Sequence, residues 1–264
     1  MQRSLGLSWN IAIYTFTFQI TCEQKPFTRR GVLLTVNSVY DPLGFLAPVT
    51  IQGRLLLRVL TSLVFDWDSP LPHNMEAEWM KRRDLLQDLE ELQIPLVYTP
   101  ISTSGAQRKE LCVFADASVK VVAAVAYIRV SSQEGHVETG FVYGKVKLAP
   151  HTDLTIPRLE LCVAVLAVEM AEMITTEMDV TFDQIVYYTD GKVVLGYLHN
   201  QKQTFYVYVH NRVQRIQHSP CSGQWRYVPL DLNPVDHGPR SVPAALLSST
   251  TWLKGPAFLT KPSP

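Results

Sequence analysis

The sequence predicts an α/β fold: a mixed five-stranded sheet flanked by helices, preceded by a smaller, mainly helical segment with an N-terminal hairpin. Three observations carry this. Between residues 110 and 230 the chain alternates three strand-like stretches, a long helical stretch, a strand, two helices and a last strand, and such alternation is how sheet-and-helix layers read in sequence. The first of these stretches, Leu111-Cys112-Val113-Phe114-Ala115, is apolar throughout, as a buried strand is. Pro95 to Lys109, with Pro100, Ser102, Thr103, Ser104 and Gly105, has the composition of a linker and separates this region from an N-terminal third of helical texture.

Taken in order, Ile11, Ile13, Phe16, Phe18 and Ile20 are spaced by threonines and Gln19. This is strand periodicity, and residues 5–20 read as a hairpin turning near Asn10. Lys25, Arg29 and Arg30 form a small basic cluster, and residues 30–39 suit a short helix. Asp41-Pro42-Leu43-Gly44 is a turn. Pro48 opens a helix whose apolar face runs through Ile51, Leu55, Leu56, Val59, Leu60 and Leu63. Met75 to Leu92 is an amphipathic helix with a mixed-sign solvated face. Val121 to Val130 and Val137 to Lys147 are strands joined closely enough to pair antiparallel. Thr155 is a candidate N-cap and Pro157 fits a first turn, so a helix runs to about Thr175. Gln184 to Thr189 is a strand ending at Asp190. Helices follow at 192–198 and about 205–217, then a strand at 225–228. The tail from residue 242 to 264, rich in Pro and Ser/Thr, is expected to be extended and outside the core.

The apolar fraction of 47% and charged fraction of 18% are those of a globular chain rather than a disordered one. Acids and bases balance at 24 each, so any basic surface is local. Cys22, Cys112, Cys162 and Cys221 form no C-x-x-C pair and read as reduced thiols of an intracellular protein, cytoplasmic or nuclear. No stretch is long and apolar enough to cross a membrane, and Trp9, Asn10, Thr15, Thr17 and Gln19 break up any signal-peptide core.

Four acids stand out. Asp116 and Asp190 each end an apolar strand; if those strands are adjacent and parallel, both carboxylates leave one edge of the sheet, where ligand sites of open α/β sheets lie. Glu160 begins the connecting helix, and Asp236 follows Asn233-Pro234-Val235. Each alone has a plainer reading: an Asx turn with Ser118 for Asp116, a macrodipole partner for Glu160, helix caps for Asp190 and Asp236. Together they suit a hard divalent cation, which takes oxygen ligands and keeps several waters. Two such ions roughly 4 Å apart can hold the attacking and leaving oxygens of a phosphodiester.

Phe114-Ala115-Asp116-Ala117-Ser118, Thr155-Ile156-Pro157-Arg158-Leu159-Glu160-Leu161, Tyr188-Thr189-Asp190, Trp225-Arg226-Tyr227-Val228-Pro229 and Asn233-Pro234-Val235-Asp236 resemble, in order and spacing, the ribonuclease H domain of retroelement reverse transcriptases. More narrowly the chain resembles the Pao/BEL class of long-terminal-repeat retrotransposons. Leu5-Gly6-Leu7-Ser8-Trp9 looks like the end of the polymerase palm. Ser38-Val39-Tyr40-Asp41-Pro42-Leu43-Gly44-Phe45-Leu46-Ala47-Pro48 looks like its thumb or connection segment. The resemblance implies four parts of a polyprotein fragment: a palm remnant at 1–30, a thumb- or connection-like helical segment at 31–100, a ribonuclease H-like domain at 110–241, and the tail at 242–264.

It also implies a ribonuclease H-like fold and Mg²⁺-dependent endonucleolytic hydrolysis of the RNA strand of an RNA–DNA hybrid. Two ions are implied (Mn²⁺ being an alternative), held by Asp116, Glu160, Asp190 and Asp236. Asp116 bridges the pair, Glu160 and Asp190 complete one shell, and Asp236 holds the ion that activates water. The partners implied are the hybrid and the rest of a retroelement polyprotein. The sequence departs from the family at Gly191 and Pro239, where Ser is usual, lacks a histidine between Val228 and Asp236, and lacks the palm with its paired aspartates.

Gly191 to Leu230 contains no Asp or Glu but carries Lys192, Lys202, Arg212, Arg215 and Arg226 among Tyr197, Phe205, Tyr206, Tyr208 and Tyr227. Basic residues supply phosphate contacts and aromatic rings stack. Tyr208, Arg212 and Arg215, at i, i+4 and i+7, share a helix face. With the resemblance, the candidate nucleic-acid contacts are Ser118, Arg158, Lys192, Tyr208, Arg212, Arg215, Arg226 and Arg240. Two other readings compete: a nucleic-acid-binding or decayed element without turnover, and a two-metal nuclease that cuts DNA on the same fold.

Overall fold

The computed structural model describes residues 2–4, 7–20, 25–62, 66–150, 154–200, 204–221, 223–237 and 242–261. Short strands β1 (Gln2–Ser4), β2 (Leu7–Asn10) and β3 (Thr15–Thr17) form the expected hairpin and one strand more. Helices α1 (Arg29–Val36), α2 (Ala47–Ser62) and α3 (Glu76–Gln87) follow. Strand β4 (Gln93–Pro95) then returns to pair with β3, closing a four-stranded antiparallel sheet in the order β1-β2-β3-β4.

The second sheet is built from β5 (Arg108–Ala117), β6 (Val121–Ser131) and β7 (Val137–Leu148), an antiparallel meander. Long helix α4 (Ile156–Glu177) crosses back and β8 (Gln184–Thr189) adds parallel to β5. Helices α5 (Lys192–His199) and α6 (Val207–Gln217) lead to β9 (Gln224–Tyr227), parallel to β8. The order is β7-β6-β5-β8-β9, the mixed five-stranded sheet expected.

The apolar runs of β5 and β6 have a direct cause: both sheet faces are covered. Leu111, Val113, Ala115 and Ala117 pack with Leu159, Leu161, Ala164, Val168 and Ala171 of α4 and with Val213 and Ile216 of α6. Cys112 and Phe114 point the other way, into a core shared with Leu7, Phe18, Phe45, Leu89 and Ile94 of the N-terminal segment. The N-terminal third therefore builds the second layer of the sheet.

The tail is the main correction. Residues 242–261 are not extended outside the core. They form α7 (Ala244–Leu247), α8 (Thr251–Lys254) and a 3₁₀ turn at Ala257–Thr260, and Leu247, Trp252 and Leu259 are fully buried. Tyr127 Oη lies 2.8 Å from the carbonyls of both Thr251 and Trp252. The Arg129 guanidinium donates to the carbonyls of Leu259 and Lys261 at 2.8 and 2.9 Å and pairs with buried Glu110. The Asp-Pro-Leu-Gly turn meets the same core. The Asp41 carboxylate accepts from the backbone N–H groups of Gly44, Phe45 and Leu46, which open α2. Gly44, at φ +80°, packs so closely that a Cβ there would stand 1.8 Å from the Gly144 carbonyl oxygen. Trp252 Nε1 donates to the Gly44 carbonyl at 3.0 Å. Among the described residues no helix is long and apolar enough to cross a membrane.

Candidate active site

The register of the sheet places the two aspartates. Ala115 pairs with Thr189 across the parallel β5–β8 ladder, so the next residue on each strand, Asp116 and Asp190, leaves the same sheet edge. Asp236 is brought to that edge by buried Asn233, whose Nδ2 donates to the Ala115 carbonyl at 3.4 Å and whose Oδ1 accepts from Val235 N at 3.2 Å. Val235 is buried beneath, and a 3₁₀ turn at Pro234–His237 presents Asp236. Glu160 reaches in from α4, on the other face. A Cβ at Gly191 would lie 2.8 Å from Glu160 Oε2, so the carboxylate occupies the space a side chain at 191 would take.

The electrostatics agree with that placement. Burial pushes the Asp116 carboxyl up to about 6, and Asp190, Asp236 and Glu160 push it the same way against one backbone hydrogen bond from Ala117. Glu160 is raised by burial and by Asp190, and Asp190 by burial and by Asp236. No basic side chain contributes to any of these three shifts, and none forms an ion pair with Asp116, Glu160 or Asp190 among the described residues. Asp116, Glu160 and Asp190, each raised in part by a neighbouring acid and none offset by a base, are under repulsion.

The plainer roles are mostly taken by other groups. Asp116 Oδ1 accepts from Ala117 N at 2.7 Å, and it is Ser118 that closes the β5–β6 turn, accepting from Val121 N at 3.0 Å and donating to the Val121 carbonyl at 3.1 Å. Glu160 is the fifth residue of α4, past the first turn. Helix α5 is capped by Gly191 with no side-chain capping bond, so Asp190 does not cap it. Thr155 stands at the α4 cap position, but its side chain makes no capping bond.

An all-oxygen donor set fits a hard divalent cation in chemistry. As the side chains stand, however, no group of three or more His, Cys, Asp or Glu among the described residues is disposed to hold a metal ion. Asp116 turns to Ala117 N, and Glu160 leans over Gly191.

The expected nucleic-acid contacts divide. Arg158 and Arg212 converge on the ring of Tyr208, with Cζ 5.2 and 3.6 Å from its centroid. Lys192 Nζ lies 5.1 Å from the Tyr227 ring centroid. Arg215 does not join Tyr208 and Arg212. It makes a two-pronged pair with Glu172, one prong 2.7 Å, and Ser219 Oγ donates to the same carboxylate. Helical spacing set its face but could not show that an acid on α4 would claim it. Ser118 is consumed by its turn, and Arg226 donates to Gln224 at 2.9 Å. Arg240, Pro239 and Cys22 lie outside the described residues; Cys112, Cys162 and Cys221 are free thiols.

Asn233 is the residue sequence reasoning missed. Its signal was the Asn-Pro step ahead of an acid, read only as part of a motif and as the setting of a helix cap at Asp236. Asn233→Leu is expected to cost about 1–3 kcal/mol, the usual penalty for leaving buried backbone groups unpaired, and to free Asp236 from β5. Denaturant melts check the first effect. Faster hydrogen exchange at 234–237 checks the second, and unchanged exchange there would reject the tether.

Solved structures similar to this chain include ribonuclease H1 from the halophilic archaeon Halobacterium salinarum, at 18% identity, covering 48% of this chain and 89% of that one with a TM-score of 0.32. LC11 ribonuclease H1, solved in complex with an RNA/DNA hybrid, is 9% identical, with coverages of 48% and 88% and a TM-score of 0.33. A foamy viral protease-reverse transcriptase in complex with double-stranded DNA is 13% identical, with a TM-score of 0.48. It aligns with 79% of this chain, which spans only 33% of that protein. With such identities and scores, these similarities assign no residue a role. No curated protein matches the chain. The model of the family described as "Pao retrotransposon-like RNaseH-like domain" matches residues 28–191, more than half of the chain, including Asp116, Glu160 and Asp190 and the N-terminal helices that cover the sheet. The chain is a member of the Pao retrotransposon ribonuclease H-like family.

Proposed function

We propose that this chain cleaves the RNA strand of RNA–DNA hybrids by metal-dependent hydrolysis, leaving a 3′-hydroxyl and a 5′-phosphate. The observation that carries the proposal is the placement of Asp116, Glu160, Asp190 and Asp236 about one sheet edge, the first three raised by burial and by neighbouring acids and none of those three paired with a base. These four residues would hold two Mg²⁺ ions, which would supply activation of water and charge stabilisation for the leaving oxygen. The chain's own part is to fix the carboxylates on rigid elements. Asp116 and Asp190 stand on strand ends held by the ladder, Glu160 stands on the longest helix, and Asp236 is tethered through Asn233. On this reading residues 1–30 and 31–100 correspond to the palm end and connection of a reverse transcriptase, with the rest of a retroelement polyprotein as partner.

The reading without turnover is supported by one feature: as their side chains stand, no group of three or more His, Cys, Asp or Glu among the described residues is disposed to hold a metal ion. Labelled hybrid, duplex RNA and duplex DNA incubated with the chain and Mg²⁺ separate the possibilities. Cleavage confined to the RNA of the hybrid is expected. Asp116→Asn and Asp190→Asn should each lower it at least a hundredfold, which corresponds to about 2.7 kcal/mol of transition-state stabilisation. No Mg²⁺-dependent product from any substrate would leave the binding-only reading, and DNA cleavage would favour a DNA nuclease.

A further inference from the structure

Two arginines from different helices share one tyrosine ring. Arg158 stands in the first turn of α4 and Arg212 in the second turn of α6, and both lie within cation–π range of Tyr208. The ring is fixed from both sides of the helix pair. Its hydroxyl lies 3.0 Å from Cys162 Sγ on α4, and Arg212 Nη1 donates to the Tyr208 carbonyl at 3.0 Å. Neither guanidinium has a carboxylate partner among the described residues, whereas Arg30, Arg82, Arg83, Arg108, Arg129 and Arg215 each have one. Arg158 is exposed, and Tyr208 and Arg212 are half-buried, so the cluster opens to solvent.

Two unpaired like charges held on one ring repel each other, and the repulsion is relieved by an anion that contacts both. The planar fork of a guanidinium matches a phosphate. From this geometry we propose that Arg158, Tyr208 and Arg212 form a clamp for the phosphodiester backbone of one strand of the bound nucleic acid. The clamp rests on the reading that the chain engages an RNA–DNA hybrid. It sits beside the acids without belonging to them, for Arg158 and Glu160 are two residues apart on α4 and point to different sides, one to Tyr208 and the other over Gly191. A strand held there runs next to the acid cluster and sets how the hybrid lies across it.

The test is binding rather than cleavage, so that it stands apart from the nuclease proposal. Affinity for a short fluorescent RNA–DNA hybrid is measured by anisotropy in EDTA over a range of salt. Arg158→Ala/Arg212→Ala is expected to weaken binding about tenfold near 0.1 M salt and to reduce the slope of log affinity against log salt by about one to two, the loss of one or two phosphate contacts. Arg83→Ala, which removes one positive charge from α3, controls for net charge and should leave the slope unchanged. Neutral methylphosphonate linkages placed in the DNA strand or in the RNA strand then identify the strand. The arm that reproduces the variant's loss in the wild type, and adds nothing in the variant, marks the clamped strand. Arg158→Ala alone, at an exposed position, gives a smaller loss in the same direction and serves if the double variant melts early. A slope identical to wild type in both variants would overturn the clamp, as would methylphosphonate effects that add fully to the variant in both strands. A wild type that binds through the clamp yet cuts nothing would refute only the nuclease proposal.

Discussion

Trp252→Ala is expected to cost about 3–5 kcal/mol, the range for emptying a large aromatic site in a packed core. The indole is fully buried, its ring 6.1 Å from that of Phe141, its Nε1 donating to Gly44. Gly144 was kept small to admit it, since a Cβ there would lie 2.4 Å from the indole. Removing the indole leaves a cavity and strands the Gly44 carbonyl. It also loosens the turn that Asp41 organises. Against a total stability of roughly 5–15 kcal/mol for a folded domain, one such change brings the chain near its threshold. The ribonuclease H-like region cut out as residues 110–241 should fare worse. It would expose Phe114, Tyr127, Phe141 and Tyr188, which rest against Phe45, Trp252 and Phe258. The measurements are chemical melts of the full-length variant and the soluble yield of the excised region. A variant within 1 kcal/mol of wild type, or an excised region that melts cooperatively, would show that the tail and N-terminal layer are accessories and not parts of the core.

The physical reason the tail was illegible lies in its residues. Leu247, Trp252 and Leu259 lie in three short apolar pieces, Ala244 to Leu247, Trp252-Leu253 and Ala257 to Leu259, broken by Ser, Thr, Lys, Gly and Pro, so no period of 2 or 3.6 runs long enough to mark a buried face. They are held instead by long-range bonds from Tyr127, Arg129 and Trp252 to carbonyl oxygens, and a carbonyl carries no residue identity. Strand β4 was missed for a related cause: three residues, Gln93–Pro95, are too few for periodicity to register. By contrast β5, β6, α4 and β8 were legible because long apolar runs leave few alternatives.

At the site, Asp116 and Asp190 were legible because each terminates such a run, so parallel pairing fixed their common edge. Arg215 and Ser118 show the limit. Spacing places a side chain on a face, but which partner captures it is decided by a residue far along the chain. Glu172 captures Arg215, 43 residues away, while the Ser118 hydroxyl is taken up locally by Val121.

Asp116→Asn should make the metal-free protein more stable at pH 7.5 while lowering any cleavage. The Asp116 carboxyl is pushed up to about 6 by burial first and then by Asp190, Asp236 and Glu160, from 3.8 for an ordinary aspartate. A raised folded-state value means that folding favours the protonated form. That contribution to stability is complete below about pH 4 and is lost as pH rises through about 6, so above pH 7 the folded chain bears the whole cost of the charge. The difference corresponds to roughly 3 kcal/mol. Asn keeps an oxygen to accept from Ala117 N but adds an amide that needs partners, so the expected gain is about 1–3 kcal/mol, or several degrees in melting temperature. Asp41, raised to about 6 chiefly by burial, gives wild type and variant the same additional slope, which cancels when the two are compared. Melts from pH 4 to 8 should therefore show the curves of variant and wild type meeting at low pH and separating through pH 6. Millimolar Mg²⁺ should raise the wild type, because binding to the folded state alone stabilises it, and raise the variant less. A variant no more stable than wild type at any pH would mean that Asp116 is not repelled by its neighbours. The case for a shared cation site at this sheet edge would then lose the observation it rests on.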